Sequence, residues 1–182
     1  MPKIFSAATL FVLTLFLPAP AHAKQPQQAQ TPSLTAVTPL KPEDRAHLLQ
    51  DTFTVVKRIA DIPAPVRKQL IPDAKAVDGM ANPGDSYQTT DVVGPKLLPF
   101  RRLILAADAA GYSLVYEEHG GFFYGQALSL YKLTNGTARL VWEAMVSAEA
   151  RPLTFEQLRS LIRQSHSHQL VLPQTPAENK RR

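Results

Sequence analysis

Between Arg101 and Val146 the apolar positions come in short runs that are rich in β-branched and aromatic residues. Turn signals separate these runs at Ala110-Gly111, Gly120-Gly121 and Asn135-Gly136, and Asn-Gly between two apolar runs is a strong hairpin signal. The pattern therefore predicts a four-stranded antiparallel β-meander over about 101–146. The predicted strands lie near residues 101–107, 112–118, 122–133 and 138–146.

Helical patterns flank these strands. Pro42 suits a first helical turn, and apolar residues then recur at steps of three and four as far as Ala60, so we predict a helix over about 42–60. Thr154 and Gln157 have the spacing of a capping box, which predicts a second helix over about 154–164. A sheet with one apolar face needs cover, so the expected fold class is α+β, with both helices packed on one face.

The remaining segments are predicted to be loops and flexible ends of a single folded domain. Residues 72–100 contain four prolines and three glycines without a sustained period, and we expect a long loop and a binding surface there. Residues 24–41 are rich in Gln, Pro and Thr and predict a disordered spacer. A flexible basic tail is expected over 172–182. The folded domain is predicted over 42–171, with a short helical turn at 65–70.

The N-terminal segment has the features of a cleavable export signal. Lys3 precedes an apolar run from Ile4 to Leu17, and Ala21-His22-Ala23 supplies the small residues of a cleavage site. The run is 14 residues long, whereas a membrane-spanning helix needs about 20. We expect cleavage after Ala23, a periplasmic or secreted product, and no transmembrane anchor in the mature chain.

Composition narrows the class of protein. The chain has no cysteine, so it forms no disulfide, which favours a bacterial periplasm over a eukaryotic secretory route. The net charge of +5 is mostly terminal, because residues 24–179 hold 16 basic and 15 acidic groups. No clustered basic face is visible, so nucleic-acid binding is not expected.

One cluster offers acid–base chemistry. Glu117, Glu118 and His119 precede Gly120-Gly121 and bring carboxylates and an imidazole to one strand end. Neighbours on a strand point to opposite faces, so only Glu117 and His119 are expected to share one. A polar strand end at a hairpin also accounts for all three residues without any chemistry.

Metal and cofactor sites are not predicted. His166 and His168 supply two ligands, whereas zinc sites use three or four. The aspartates of the 72–100 segment are irregularly spaced and do not match a calcium-binding loop.

Exposed aromatic residues suit binding, because their rings are apolar and tyrosine adds a polar tip. The candidate binding residues are Tyr116, Phe123, Tyr124, Asp85 and Tyr87. The leading hypothesis is a non-enzymatic exported binding or accessory protein that uses an open sheet face and the 72–100 loop. Its partner would be an envelope protein or a small ligand. The alternatives are a small envelope hydrolase using Glu117 or Glu118 with His119, and a surface-associated structural subunit.

Overall fold

The computed structural model describes residues 31–72, 79–92, 96–122, 124–147 and 151–165. Within these ranges the chain is α+β, with seven strands, three α-helices and a short 3-10 helix. In chain order the elements are β1 (Ser33–Ala36), α1 (Pro42–Gln50), β2 (Thr54–Val56), the 3-10 helix (Ile59–Asp61), α2 (Ala64–Leu70), β3 (Met80–Ala81), β4 (Arg101–Ala109), β5 (Tyr112–His119), β6 (Gly125–Thr134), β7 (Thr137–Ser147) and α3 (Phe155–Gln164).

The sheet contains the expected meander and extends it on both sides. Strands β4 to β7 pair antiparallel in sequence order, and the full order is β1-β7-β6-β5-β4-β2, with β3 also paired to β4. The prediction of four strands is therefore wrong, because the sheet has seven. The three additional strands have two to four residues each, and strands that short carry no readable period.

Two of the meander's turns need glycine. Asn135 and Gly136 have φ angles of 50° and 73°, and positive φ at both central residues is typical of a type I′ hairpin turn. Gly111 between β4 and β5 has a φ of 81°. A further irregularity lies inside β4, where the register shifts between Leu103 and Leu105 and leaves Ile104 as a bulge.

Helices cover both faces of the sheet. Leu48 of α1 and Leu158 of α3 belong to one buried cluster, so the two helices predicted on one face do lie there. Val66 and Leu70 of α2 belong to a second cluster on the opposite face. The expectation of an open sheet face is corrected accordingly, because α2 covers part of it.

The N-terminal helix is shorter than predicted. It ends at Gln50, and the N–H of Asp51 closes it by donating to the carbonyl of His47 at 3.0 Å. Residues 54–56, predicted as helix, instead form β2, because Thr54, Val55 and Val56 are β-branched and pair with the edge of β4.

Part of the predicted spacer is ordered. Residues 33–36 fall within the segment expected to be disordered, yet they form β1 and pair with β7 from Ala144 to Ser147. The predicted signal peptide at 1–23 and the predicted tail at 172–182 lie outside the described residues.

Helix α3 begins as predicted. The Thr154 hydroxyl accepts a hydrogen bond from the Gln157 N–H at 3.3 Å, and the Gln157 side chain accepts one from the Thr154 N–H at 2.8 Å. This capping box satisfies two N–H groups that the first turn otherwise leaves free. It also holds the start of α3 beside the sheet.

Gly120 lies directly against the main chain of Gln88 and Thr89. A Cβ at Gly120 would lie 2.0 Å from the Gln88 carbonyl oxygen. We expect Gly120→Ala to lower the free energy of unfolding by about 2–3 kcal/mol, as measured by urea denaturation. The control is Gly136→Ala, where φ is +73° and no atom lies within 4 Å, so the loss should be about 1 kcal/mol from backbone strain. Equal losses in the two variants would contradict the close contact.

Candidate ligand-binding cleft

Glu117 is a structural ion-pair partner on the α2 side of the sheet. The Arg101 guanidinium donates to its carboxylate at 2.6 and 3.1 Å, and His119 Nε2 lies 3.1 Å from Glu117 Oε1. Arg101 also donates to the Leu70 carbonyl at 2.8 Å. Glu117 and His119 thus share a face as expected, and their contacts tie β4, β5 and the end of α2 together.

Glu118 points to the opposite face and is held by three donors. Its Oε1 accepts from Arg102 Nε at 2.6 Å, and its Oε2 accepts from the hydroxyls of Tyr87 and Tyr124, both at 3.0 Å. The Glu118 residue is only 4% exposed. Because a buried charge needs a partner and hydrogen bonds, these three residues are what allow Glu118 to be buried.

The hydrogen bonds continue from Tyr124 into the core. Gln126 donates to the Tyr124 hydroxyl at 2.9 Å, and the Tyr116 hydroxyl donates to the Gln126 side-chain oxygen. The Leu153 N–H donates to the Tyr116 hydroxyl at 3.4 Å. We call this set the Glu118 network; it comprises Tyr87, Arg102, Tyr116, Glu118, Tyr124 and Gln126.

The candidate binding residues mostly converge on this network. Tyr87, Tyr116 and Tyr124 are members, and Asp85 joins through its carbonyl, which accepts from Arg102 Nη1 at 3.2 Å. Tyr116 is fully buried, so its hydroxyl supports the network and does not face solvent. Phe123 lies outside the described residues. A ligand contact through Tyr87, Tyr124 or Asp85 stays a prediction.

A cleft of about 650 Å³ borders the Glu118 network. It lies between β2, β4, the turn at Pro83–Gly84 and the start of α3. Its side-chain walls are mainly apolar, and Arg102, Glu118, Lys57 and Glu156 supply charged groups. The apolar lining includes Phe53, Val55, Ile104, Leu105, Leu153 and Phe155.

The cleft opens where β4 lacks an edge partner. Strand β2 pairs with β4 at 106–108, and β3 pairs with it at 101–102. Between them, residues 103–105 are paired with neither strand, and the bulge at Ile104 lies in this interval. Two short strands that end before they meet therefore leave the gap that the cleft occupies.

Three of the four charged side chains that line the cleft have salt-bridge partners among the described residues. Glu118 is paired with Arg102, and Glu156 lies 3.5 Å from Arg159. Lys57 is exposed and forms no salt bridge with any residue that the structure describes. Lys57 is therefore the one charged side chain of the cleft lining without a salt-bridge partner among the described residues.

Sequence reasoning missed the residues that make the cleft. The sequence pattern predicts a helix at Val55 and Lys57 and a strand at Ile104, and it indicates no functional role for these residues. One usable signal was present: Arg101-Arg102 and Glu117-Glu118 occupy neighbouring predicted strands, and opposite charges on adjacent antiparallel strands are expected to pair.

The described residues were also compared with the requirements of a metal site and of a membrane-spanning helix. No group of three or more His, Asp or Glu side chains in the described part of the chain is arranged to hold a metal ion. His166 and His168 fall outside it. None of the helices described is long and apolar enough to cross a membrane.

No family model matches the chain, and no curated protein and no solved structure shows significant similarity to it. The candidate site is therefore defined by its own contacts alone.

Buried tyrosines make the fold sensitive to alkali. Burial raises the pKa of Tyr116 to about 12, and burial together with the hydrogen bond to Glu118 raises that of Tyr87 to about 12. Tyrosine ionises near pH 10 in the unfolded chain. Above that pH the unfolded state loses protons that the folded state keeps, so stability should fall as the pH rises from about 10 to about 12.

The measurement is urea unfolding across this pH range for the wild type and for Tyr87→Phe. The variant lacks one of these ionisations, so its stability should fall less steeply with pH. Identical slopes for the two proteins would contradict the raised pKa of Tyr87.

Proposed function

We propose that the chain is an exported, non-enzymatic binding protein whose ligand site is the cleft beside the Glu118 network. The observation that carries this proposal is the cleft itself, about 650 Å³ in volume, with apolar walls and a few charged groups. Small-molecule sites typically have this size and this composition. The turn at Pro83–Gly84, within the 72–100 segment, lines the cleft, which supports the proposed role of this segment in binding.

The cleft is supported on several sides before any ligand arrives. Arg102 is held by Glu118 and by the Asp85 carbonyl. The start of α3 is held by its capping box and by the contact of Leu153 with Tyr116. Walls that are already positioned reduce the ordering cost of binding, which favours a binding role.

The groups lining the cleft favour binding over hydrolysis. Glu118 accepts three hydrogen bonds, and Thr154 is engaged in its helix cap. No Ser, Cys or His is among the described residues that line the cleft. Glu117 and His119, the other part of the hydrolase hypothesis, lie on the opposite face, so they support no reaction in this cleft.

The features of the first 23 residues support a ligand found in the periplasm or the surrounding medium. The near balance of acidic and basic groups in the body of the chain supports a small ligand or a protein partner over nucleic acid.

Filling the cleft tests the proposal. Val55 lines the cleft and is 42% exposed, so Val55→Trp should occupy its space without entering the core. The uncharged fluorescent probe N-phenyl-1-naphthylamine should bind the wild type, and its affinity for Val55→Trp should be about tenfold lower. Fluorescence titration measures both.

The matched control is Val37→Trp, at an exposed valine just after β1 on the opposite edge of the sheet. It should bind the probe like the wild type. Failure of the wild type to bind, or equal binding by Val55→Trp, would refute the cleft as the site.

A further inference from the structure

Arg102 has binding capacity that the fold does not use. A guanidinium carries five N–H groups, and Arg102 spends one on Glu118 and one on the Asp85 carbonyl. The remaining three have no hydrogen-bond partner among the described residues; the face of the guanidinium lies 4.3 Å from the centre of the Tyr87 ring, and Arg102 lines the cleft. An acceptor on a ligand can therefore bind Arg102 without displacing Glu118.

Lys57 adds a second cation to the same cleft. Strand β2 runs antiparallel to β4, and Val56 lies opposite Ala106. Lys57 follows Val56, so the main chain at Lys57 continues toward the β4 residues 103–105 that have no edge partner, and toward Arg102. Its ammonium has no salt-bridge partner in the described ranges. Two cationic groups thus border a space whose walls are largely apolar.

We infer that the cleft binds a single-chain amphiphile with a carboxylate head, a deduction that rests on the proposed binding function. The apolar chain lies against Phe53, Val55 and Phe155, and the head is bound by Lys57 and Arg102. Burial of the chain supplies most of the affinity, since apolar surface leaves water. The charged hydrogen bonds select the head.

The acidic residues of the cleft argue for a single negative charge on the head. Glu118 and Glu156 line the same space, and like charges within a few ångströms repel. A dianionic phosphate would meet about twice the repulsion of a singly charged carboxylate, which Lys57 and the remaining N–H groups of Arg102 can bind. The planar donors of arginine fit a carboxylate as well as a phosphate, so the preference for a carboxylate rests on charge.

An extended peptide fits the cleft less well. A peptide that adds a strand to a sheet needs accessible main-chain groups along the edge. The gap in β4 is three residues long, and Leu103 and Leu105 there are 0% and 5% exposed. Leu103 and Leu105 therefore offer little accessible main chain, whereas the walls of the cleft are mainly apolar side chains, which suits an acyl chain.

Three probes with the same chain and different heads test this inference on the full mature chain: decanoate, decanol and decyltrimethylammonium. Each is titrated against bound N-phenyl-1-naphthylamine. Decanoate should displace the dye at about tenfold lower concentration than decanol, and the ammonium compound should be the weakest.

Lys57→Gln should lower the affinity for decanoate about three- to fivefold and leave the affinity for decanol unchanged, because an exposed charge contributes modestly to binding. Lys68→Gln, at an exposed lysine of α2 on the opposite face, is the matched control and should change neither. Lys57→Glu should reverse the order of affinities, so that decyltrimethylammonium displaces the dye at a lower concentration than decanoate. Lys57→Gln and Lys57→Glu both change an exposed side chain, so neither substitution should disturb the packing of the core.

The outcomes separate the two proposals. If the dye binds but the three heads compete equally, or Lys57→Gln leaves the ratio of decanoate to decanol unchanged, the carboxylate inference is overturned and the cleft remains a binding site. If neither the dye nor any of the three probes binds, both the inference and the proposed function are overturned.

Discussion

Burial of the Glu118 charge is the constraint on which the candidate site depends. Transfer of a carboxylate out of water costs several kcal/mol unless charged and neutral donors replace the lost hydration. Arg102, Tyr87 and Tyr124 are those donors, and they come from a strand, a loop and a hairpin. Each of these segments must be in place for the others to be stable. This explains how a loop without regular secondary structure is held beside the cleft.

Two ion pairs also join β4 to β5. Arg101 pairs with Glu117 on one face, and Arg102 pairs with Glu118 on the other. Because side chains alternate, a slip by one residue would send Arg101 to the face of Glu118 and Arg102 to the face of Glu117, and it would carry the apolar side chains of β4 to the opposite faces of the sheet. The same register places Arg102 at the cleft. Packing of the sheet and composition of the cleft therefore both depend on the alignment of these two strands.

The parts of the fold that the sequence predicted are those with local signals. Asn135-Gly136 marks a hairpin, and Thr154 with Gln157 marks a helix start, since each device acts within a few residues. Strands β1 and β2 have no such signal, because they are strands only through pairing with β7 and β4. The candidate residues around Glu118 were predicted, but the cleft was not, because the bulge and the gap at 103–105 depend on where two distant strands end.

A ligand that uses the three remaining N–H groups of Arg102 leaves the bond to Glu118 intact. Binding then adds an acceptor to a guanidinium that is already held in position, and the loop and hairpin keep their donors to Glu118. A reaction that needed Glu118 as an acid or base would instead have to break these contacts and leave Arg102 without its anion. The contacts of this one carboxylate thus favour the proposed binding without rearrangement over the alternative of proton transfer by Glu118.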